Sequence, residues 1–389
     1  MKVAMLNSDR RQFIHKAMAS LAGLTLTGIP GAWSNLPFKS EKVVARPPRL
    51  PEQPIRFSVI GMNHGHIHGQ IESMHRAGGI LVAYYAVEPE LMEDFGKRYS
   101  GAKPARSAEE IYEDESIQLI LSAAIPSDRA DIGINAMRHG KDYMSDKPAI
   151  ISLEKLEEVK KVQQETGRIF SVLYSERMEN KASVKAAELV KSGTIGKVVQ
   201  TVNLAPHRMN IPSRPEWFFD KKYFGGIITD IGSHQIDQFL YYTGSTRAII
   251  VGSQTGNVHY PQYPEFEDFG DALLRGNGGM GYIRVDWFTP DGLDTWGDGR
   301  LTILGTEGFI ELRKYTDIAG RPGGNHLFLV DGKEARYIDC SDQYLPFGEL
   351  FSNDILNRTE TAMTQEHCFL ATEVTLQAQA QAQRIDVEL

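Results

Sequence analysis

Asp230, His234 and Asp237 are three titratable residues in a run of otherwise small or apolar residues that begins at Gly225-Gly226. Offsets of three and four residues place side chains on one face of a helix, so we expect these three to lie together. A carboxylate beside an imidazole holds it in one tautomer and prepares it to act as a general base. The alternative is a purely structural role, in which the aspartate caps a helix and the histidine has a hydrogen-bond partner in the core, since these residues would show the same spacing.

Lys147 is the second candidate, because Asp146-Lys147-Pro148 directly follows a predicted strand. Ligands of open α/β sheets bind at the carboxyl ends of the strands, and Pro148 restricts the backbone as it leaves the strand. We therefore expect the ammonium group of Lys147 to point into a crevice, facing Asp230 and His234 of a second domain. A solvated surface lysine is the alternative.

The elements that must position Lys147 begin at Ile55, where short β-branched runs alternate with amphipathic segments. This order predicts an α/β fold, a Rossmann domain with a parallel sheet between helices, over residues 55–177. Predicted strands lie at 55–60, 80–87, 117–123, 142–145 and 169–173. Predicted helices lie at 66–77, 89–99, 107–113, 127–139 and 152–166.

The first turn of this domain lies where the pyrophosphate of a dinucleotide would meet a helix N-terminus. Only Gly61 falls on the pattern G-x-G-x-x-G, since Asn63 and His66 replace the second and third glycines. Asn63 can adopt left-handed geometry, whereas His66 is expected to loosen the packing of helix against strand. The candidate cofactor-binding residues of this turn are Gly61, Asn63, His64, Gly65 and His66.

Glu88 ends the second predicted strand. A carboxylate at this position can accept hydrogen bonds from both ribose hydroxyls and would repel a 2′-phosphate, which favours NAD over NADP. A solvated acid in the turn Glu88-Pro89-Glu90 is the alternative.

Residues 178–389 predict a second, α+β domain. After a helix at 178–192, long strands joined by tight turns are predicted at 197–205, 247–255, 270–276, 280–288, 300–305 and 308–313. Asn277-Gly278-Gly279 is a strong hairpin signal. His207 and Trp217 lie in insertions that combine hydrogen-bond donors with aromatic planes, as does the segment 287–300, and this combination suits sugar rings.

Taken together, the E/D-K-P segment and the later G-G-x-x-x-D-x-G-x-H-x-x-D resemble the Gfo/Idh/MocA family of NAD(P)-dependent sugar and polyol oxidoreductases. Ala124-Ile125-Pro126 resembles the loop of that family beside the nicotinamide, Arg177 resembles its arginine after strand six, and 193–197 resembles its turn into the second domain. The resemblance implies a large, mostly antiparallel open sheet that packs subunits into a homo-dimer or homo-tetramer.

The resemblance also implies roles for individual residues. Lys147, Asp230 and His234 would form the catalytic set, with Ala124, Pro126, Asp146 and Lys147 at the cofactor. Candidate substrate-binding residues are Arg177, His207, Trp217 and Asp237, of which Asp237 bonds either a substrate hydroxyl or a structural partner. No spacing matches a zinc pattern, so no metal site is predicted.

The first 33 residues resemble a twin-arginine signal, with Arg10-Arg11 followed by Phe13-Ile14 and an uncharged run too short to span a bilayer. A chance arginine pair before an amphipathic helix is the alternative. Residues 34–54, rich in proline, predict an extended arm. We therefore expect an exported, periplasmic protein without stable membrane insertion once the signal is removed.

The formal net charge of -8 and the absence of a basic stripe with interleaved aromatics argue against nucleic acid as a partner. The only two cysteines could pair or remain thiols. The predicted function is hydride transfer between a carbohydrate hydroxyl carbon and a nicotinamide that is exported with the protein. NAD-dependent glycoside cleavage through a transient 3-keto sugar and non-catalytic sugar binding are the alternatives.

Overall fold

The structure, a computed structural model, describes residues 39–47 and 49–385. The predicted signal, residues 1–33, lies outside the described residues. The described part of the predicted arm contains a short exposed strand, Lys39–Lys42, at the edge of the larger sheet. Among the described residues, no helix combines the length and the apolar character needed to cross a membrane.

The Rossmann sheet predicted from residue 55 onwards is confirmed. Its six strands are all parallel, and their spatial order is Lys103–Pro104, Ile80–Tyr85, Arg56–Ile60, Leu119–Ser122, Asp142–Ser145 and Phe170–Val172. The connecting helices are Ile67–Arg76, Pro89–Arg98, Ala108–Glu113, Pro126–Arg138 and Leu153–Thr166. Strand Asp142–Ser145 has neighbours on both sides, so the segment that follows it leaves the sheet from an interior position.

The second sheet is also as expected, large and mostly antiparallel. Its ten strands lie in the order Lys39–Lys42, Ala335–Asp339, His326–Asp331, Gly308–Arg313, Arg300–Gly305, Val198–Pro206, Met280–Asp286, Phe269–Gly276, Ala248–Gly256 and Gln383–Ile385. Two of the pairings are parallel. The predicted hairpin at Asn277-Gly278-Gly279 joins a strand pair in which Arg275 faces Met280.

Helices Lys181–Lys191 and Ser233–Thr243 lie in the second half, and shorter helical turns occur at Ser175–Met178, Ile211–Ser213, Glu216–Phe219 and Lys221–Phe224. A π-helical turn, Ile228–Gly232, leads directly into the helix Ser233–Thr243. The predicted catalytic segment therefore begins on this turn and continues into the α-helix.

Two helices that the sequence did not predict, Phe347–Asn357 and Gln365–Ala380, return the chain to the Rossmann half. Phe347 and Phe351 pack in the same apolar cluster as Ile67 of the first Rossmann helix. The amide of Gln365 bonds both the N–H and the C=O of Phe170 at 2.8 Å, which pairs buried backbone groups on the outer side of the edge strand.

Cys340 and Cys368 are free thiols in two different apolar clusters, so they do not form a disulfide. Cys340 lies with the strands of the large sheet, whereas Cys368 lies on a helix packed between the two halves. Of the two possibilities left open by the sequence, the structure shows the unpaired one.

Candidate active site

Lys147 and Asp230 meet across the two halves of the chain. Nζ of Lys147 lies 2.9 Å from Oδ1 of Asp230, and Lys147 is only 5% exposed. Burial disfavours the carboxylate of Asp230, but the charge and the hydrogen bond of Lys147 hold its pKa below the ordinary value. The predicted convergence of the strand end and the histidine segment is therefore found.

His234 lies on the first turn of helix Ser233–Thr243 and is 2% exposed. Its Nδ1 has no hydrogen-bond partner among the described residues. Burial lowers the pKa of His234 to about 3, Glu176 acts in the opposite sense, and Lys147 lowers it further. The imidazole is therefore neutral at neutral pH.

The predicted pairing of Asp230 with His234 is not formed, because the hydrogen-bonded partner of Asp230 is Lys147. The prediction assumed α-helical offsets throughout. Asp230 lies on the π-helical turn Ile228–Gly232, where the hydrogen bonds span five residues and the α-helical face no longer applies.

Asp146 is a buried carboxylate in contact with three basic side chains. Its Oδ1 lies 3.0 Å from Nδ1 of His66, and its Oδ2 lies 3.1 Å from Nδ1 of His64 and 3.2 Å from Nη2 of Arg129. Burial opposes ionisation of Asp146, but the charges of His66 and Arg129 hold its pKa well below the ordinary value. The carboxylate is therefore charged.

Arg129 is the main candidate residue of the site that the sequence analysis missed. It is 1% exposed, and its guanidinium donates to the backbone oxygens of Ala124 at 2.7 Å and Lys147 at 2.6 Å. It thereby fixes the Asp146-Lys147 segment against the loop at Ala124. The sequence could have indicated Arg129 by its position, because it lies three residues after Pro126 of the loop expected beside the nicotinamide.

A cavity of about 290 Å³ opens beside Lys147 and Asp230. The second half of the chain supplies a basic and aromatic wall to it, made of His207, Arg214, Trp217, Phe218, Phe224, Trp287 and Trp296. The guanidinium of Arg214 lies 4.7 Å from the ring centroid of Phe218 and 4.8 Å from that of Trp287. The structure thus brings the predicted substrate residues His207 and Trp217 to the same cavity as Lys147, whereas the buried His234 is not among the residues that line it.

His207 is held between two indoles, with its ring centroid 5.4 Å from that of Trp287 and 4.6 Å from that of Trp296. Its Nδ1 lies 3.1 Å from the carbonyl oxygen of Ala205. That carbonyl can only accept, so Nδ1 carries the hydrogen and Nε2 is an acceptor. Burial lowers the pKa of His207 to about 4, against the opposing charge of Glu176, so the ring is neutral.

Comparison with known proteins assigns the chain to a family. Residues 55–174 match the oxidoreductase family domain described as an NAD-binding Rossmann fold, and residues 183–311 match the Gfo/Idh/MocA C-terminal domain. A structure assigned as an oxidoreductase from Erwinia carotovora atroseptica SCRI1043 is 46% identical with a TM-score of 0.83, covering 85% of this chain and 100% of that one. The chain belongs to the Gfo/Idh/MocA family.

More distant relatives of this chain include proteins named for an enzymatic activity. The NADP-dependent scyllo-inositol 2-dehydrogenase of Bacillus subtilis (strain 168) is 24% identical over 157 residues, which cover 40% of this chain and 43% of that enzyme. Levoglucosan dehydrogenase in complex with NADH shares the fold, with a TM-score of 0.68 at 17% identity over 84% of this chain and 97% of that one. The chain spans about half the length of the curated relatives it matches.

The first turn fits the dinucleotide that the family domain implies. Gly61 has φ of 76°, and a Cβ there would lie 2.4 Å from Cβ of Ala124, so only glycine allows this close turn. A Cβ at Gly65 would meet no atom within 4 Å, which leaves open space above the loop. The second strand ends at Tyr85, three residues before the predicted end at Glu88, and Glu88 instead occupies the N-cap position of the helix Pro89–Arg98. Nδ2 of Asn63 donates to Oε1 of Glu88 at 2.6 Å.

His66 does not loosen the packing of the first Rossmann helix, contrary to expectation. Its half-exposed ring turns towards Asp146 instead of towards the sheet. Ile67 and Ile71 are buried in the space between helix and strands, and Nε2 of Gln70 donates to the carbonyl oxygen of Ser122 at 3.1 Å. The missing third glycine is therefore replaced by a side chain that faces away from the interface.

Arg177 and Asp237 do not line the cavity at Lys147, so their positions do not fit the predicted contact with substrate there. Arg177 donates two hydrogen bonds to Asp237, at 2.7 and 2.8 Å, and Nε2 of His367 lies 2.8 Å from the same carboxylate. Asp237 is fully buried. Of the two roles foreseen for Asp237, the structural partner is the one observed, because helix Gln365–Ala380 covers it.

A buried ion pair behind the cavity also escaped the sequence analysis. Nζ of Lys314 donates to Glu176 at 2.6 Å and to Oε1 of Gln238 at 2.8 Å, and Gln235 donates to the same carboxylate at 3.0 Å. Burial opposes the charge of Glu176, but Lys314 lowers its pKa. Nothing in the sequence around Lys314 indicated a buried lysine.

Proposed function

We propose that this protein is an NAD(P)-dependent oxidoreductase that transfers a hydride between a nicotinamide and the hydroxyl-bearing carbon of a sugar, polyol or glycoside. The observation that carries the proposal is the convergence of Lys147, at the end of a Rossmann strand, with Asp230 and an aromatic cavity wall from the other domain. Family membership and the cofactors named for the relatives support it.

Lys147 is proposed to bind the oxygen of the reacting hydroxyl. Its ammonium group would stabilise the negative charge that develops on that oxygen, and its burial strengthens this effect because solvent is excluded. Asp230 holds Nζ in place at 2.9 Å. When bound, the nicotinamide would supply the two-electron acceptor or donor, as cofactors generally do for hydride transfer.

The proton of the hydroxyl requires an acceptor, and we assign this role to His234. Its imidazole is neutral and its Nδ1 is unpaired among the described residues. His207 presents Nε2 as an acceptor on the cavity wall and is proposed to bind a second substrate hydroxyl. The indoles of Trp217, Trp287 and Trp296 would cover the apolar face of a sugar ring.

The nicotinamide is proposed to be NAD rather than NADP. Glu88 lies in the loop that follows the second strand, where a negative charge repels a 2′-phosphate. Asn63 holds the Glu88 side chain at 2.6 Å and fixes its position. We expect Glu88→Ser to raise the catalytic efficiency with NADP relative to NAD, and an unchanged ratio would argue against the assignment.

The decisive experiment separates binding, oxidation and cleavage. Purified protein is denatured and the supernatant is assayed for NAD and NADP, and the native protein is then incubated with a panel of monosaccharides and disaccharides. A keto sugar formed with reduction of the nicotinamide supports the proposal. Free monosaccharide without net reduction would support NAD-dependent glycoside cleavage, and protein that neither contains nor binds a nicotinamide would leave only sugar binding.

Export and self-association complete the proposal. Arg10-Arg11 supports export by the twin-arginine route, and Arg10→Lys combined with Arg11→Lys is expected to retain the protein in the cytoplasm.

Exposed apolar side chains on the large sheet, among them Val251 and Leu273, support a homo-oligomer. Light scattering of the wild type and of Val251→Lys would measure the association, which the charged variant should weaken.

A further inference from the structure

His64, His66 and Asp146 form a group of three potential metal ligands on the wall of the cavity. One ligand atom from each residue lies within 4.8 Å of the other two. The two imidazole rings are nearly perpendicular, at 85°, with centroids 4.2 Å apart. Donor atoms that share one metal ion need this kind of close, converging arrangement.

Hydrogen bonding leaves part of this group unsatisfied. Nδ1 of His64 and Oδ2 of Asp146 are buried atoms that form no hydrogen bond among the described residues, although they lie 3.1 Å apart. Oδ2 has an ion-pair contact with Nη2 of Arg129 at 3.2 Å. The separation of Nδ1 and Oδ2 suits a hydrogen bond, but their directions do not. Two ligands of one ion point towards the ion instead of towards each other, so a cation between them would satisfy both atoms.

The surroundings hold these donors in place. Asp146 accepts from the backbone N–H of Lys147 at 2.8 Å and contacts Arg129 through its Oδ2 at 3.2 Å. Such outer contacts commonly orient metal-bound carboxylates. Gly65 separates the two histidines, and the space beside it is open, so both rings can face the same point.

We propose that His64, His66 and Asp146 bind one divalent first-row transition-metal ion through two imidazole nitrogens and one carboxylate oxygen. Imidazole ligands favour zinc, cobalt or nickel over magnesium and calcium. Arg129 and Lys147 already balance the charges of Asp146 and Asp230, so the ion adds positive charge. An anionic oxygen from the cavity, such as hydroxide or a ligand phosphate, would complete its coordination and balance that charge.

Zinc binding to the chelator-treated full chain, measured by titration calorimetry, tests the site without using enzymatic activity. The wild type is expected to bind one equivalent at this site. His64→Gln and His66→Gln are each expected to weaken that binding at least about tenfold. His139→Gln is the matched control, because its exposed ring bonds only the carbonyl oxygen of Asn135 and should leave the affinity unchanged.

Circular dichroism of each variant shows whether it has folded, and X-ray absorption of the wild type with cobalt reports nitrogen and oxygen ligands directly. The proposal is overturned if the wild type binds no zinc, or if both glutamine variants keep wild-type affinity. Nicotinamide binding is titrated separately on the same samples. Its absence would overturn the proposed hydride transfer and leave the metal site standing, so the two failures are distinguishable.

Discussion

At the scale of single residues, the burial and the ion-pair partners of a lysine determine whether its ammonium group can act on a substrate. Lys147 is buried and bonded to one carboxylate, so its ammonium group can face a substrate oxygen without the screening of bulk water. Lys97, by contrast, pairs with Glu93 and Asp94 on an exposed helix surface. The two lysines differ in their surroundings and not in their own chemistry.

We expect Lys147→Met to lower kcat by about 10² or more, the effect of removing a charged donor from a developing oxyanion. Binding of the nicotinamide should persist, because the contacts of the first turn are unchanged. Steady-state kinetics and a separate cofactor titration measure the two effects. Lys97→Met should leave both at wild-type values, and unchanged turnover in Lys147→Met would refute the role of Lys147.

Variants of His234 and His207 distinguish the role proposed in proton transfer from the role proposed in substrate binding. We expect His234→Asn to lower kcat by about 10² or more, because a general base contributes on that order. His207→Asn should act mainly on KM, since its Nε2 is placed to bind a hydroxyl on the cavity wall. Steady-state kinetics of both variants decide the assignment, and the reverse pattern would move the base to His207.

At the scale of elements, the first turn depends on a close approach to the loop at Ala124. Gly61→Ala would place a methyl group 2.4 Å from Cβ of Ala124 on backbone with positive φ, so the turn must shift. We expect a weaker nicotinamide affinity and a lower Tm. Gly65→Ala is the matched control, because no atom lies within 4 Å of its Cβ, and its Tm should stay close to that of the wild type.

The π-helical turn Ile228–Gly232 carries Asp230, which bonds Lys147 of the Rossmann half. It shifts Asp230 out of the face defined by the following α-helix and towards Lys147. Two N–H groups of the turn, those of Ile228 and Thr229, donate to Oε1 of Gln379 at 2.9 and 3.3 Å. Helix Gln365–Ala380 therefore holds the turn that carries the proposed catalytic residue Asp230.

At the scale of the whole molecule, the buried pair Glu176 and Lys314 links the helical turn Ser175–Met178 to the end of the large sheet. We expect Glu176→Gln to lower the free energy of unfolding by about 3–5 kcal/mol, because it leaves a buried ammonium group without its counter-charge. Glu93→Gln, which breaks an exposed pair, should lower the free energy of unfolding far less than Glu176→Gln, because solvent screens that pair. Denaturant unfolding measures both.

The same pair predicts how stability depends on pH. Because the folded-state pKa of Glu176 is lowered, its charge stabilises the protein above the unfolded-state pKa of a glutamate. This contribution is lost as the pH falls through the acidic range. We expect Tm to fall on acidification less steeply in Glu176→Gln than in the wild type, and equal slopes would show that other carboxylates dominate.

Local pattern was enough to predict most elements of both sheets and the candidate residues at the strand ends. Short-range features involve residues that are neighbours in the chain, so they can be recognised in the sequence alone. They include the alternation of apolar residues, the glycine turn after the first strand and the segment Asp146-Lys147-Pro148. Helices Phe347–Asn357 and Gln365–Ala380 were missed. Their faces contact different parts of the molecule, so much of their surface is buried and no simple polar stripe marks them.

The sequence by itself determined the Rossmann order, the placement of Lys147 at a strand end and the aromatic insertions that line the cavity. Only the tertiary structure decided that Asp230 bonds Lys147 instead of His234, and that Arg177 pairs with Asp237 and Lys314 with Glu176. These partners are far apart along the chain. The local sequence around a charged side chain does not identify its ion-pair partner, because the pairing depends on where folding places distant segments and how far it removes them from water.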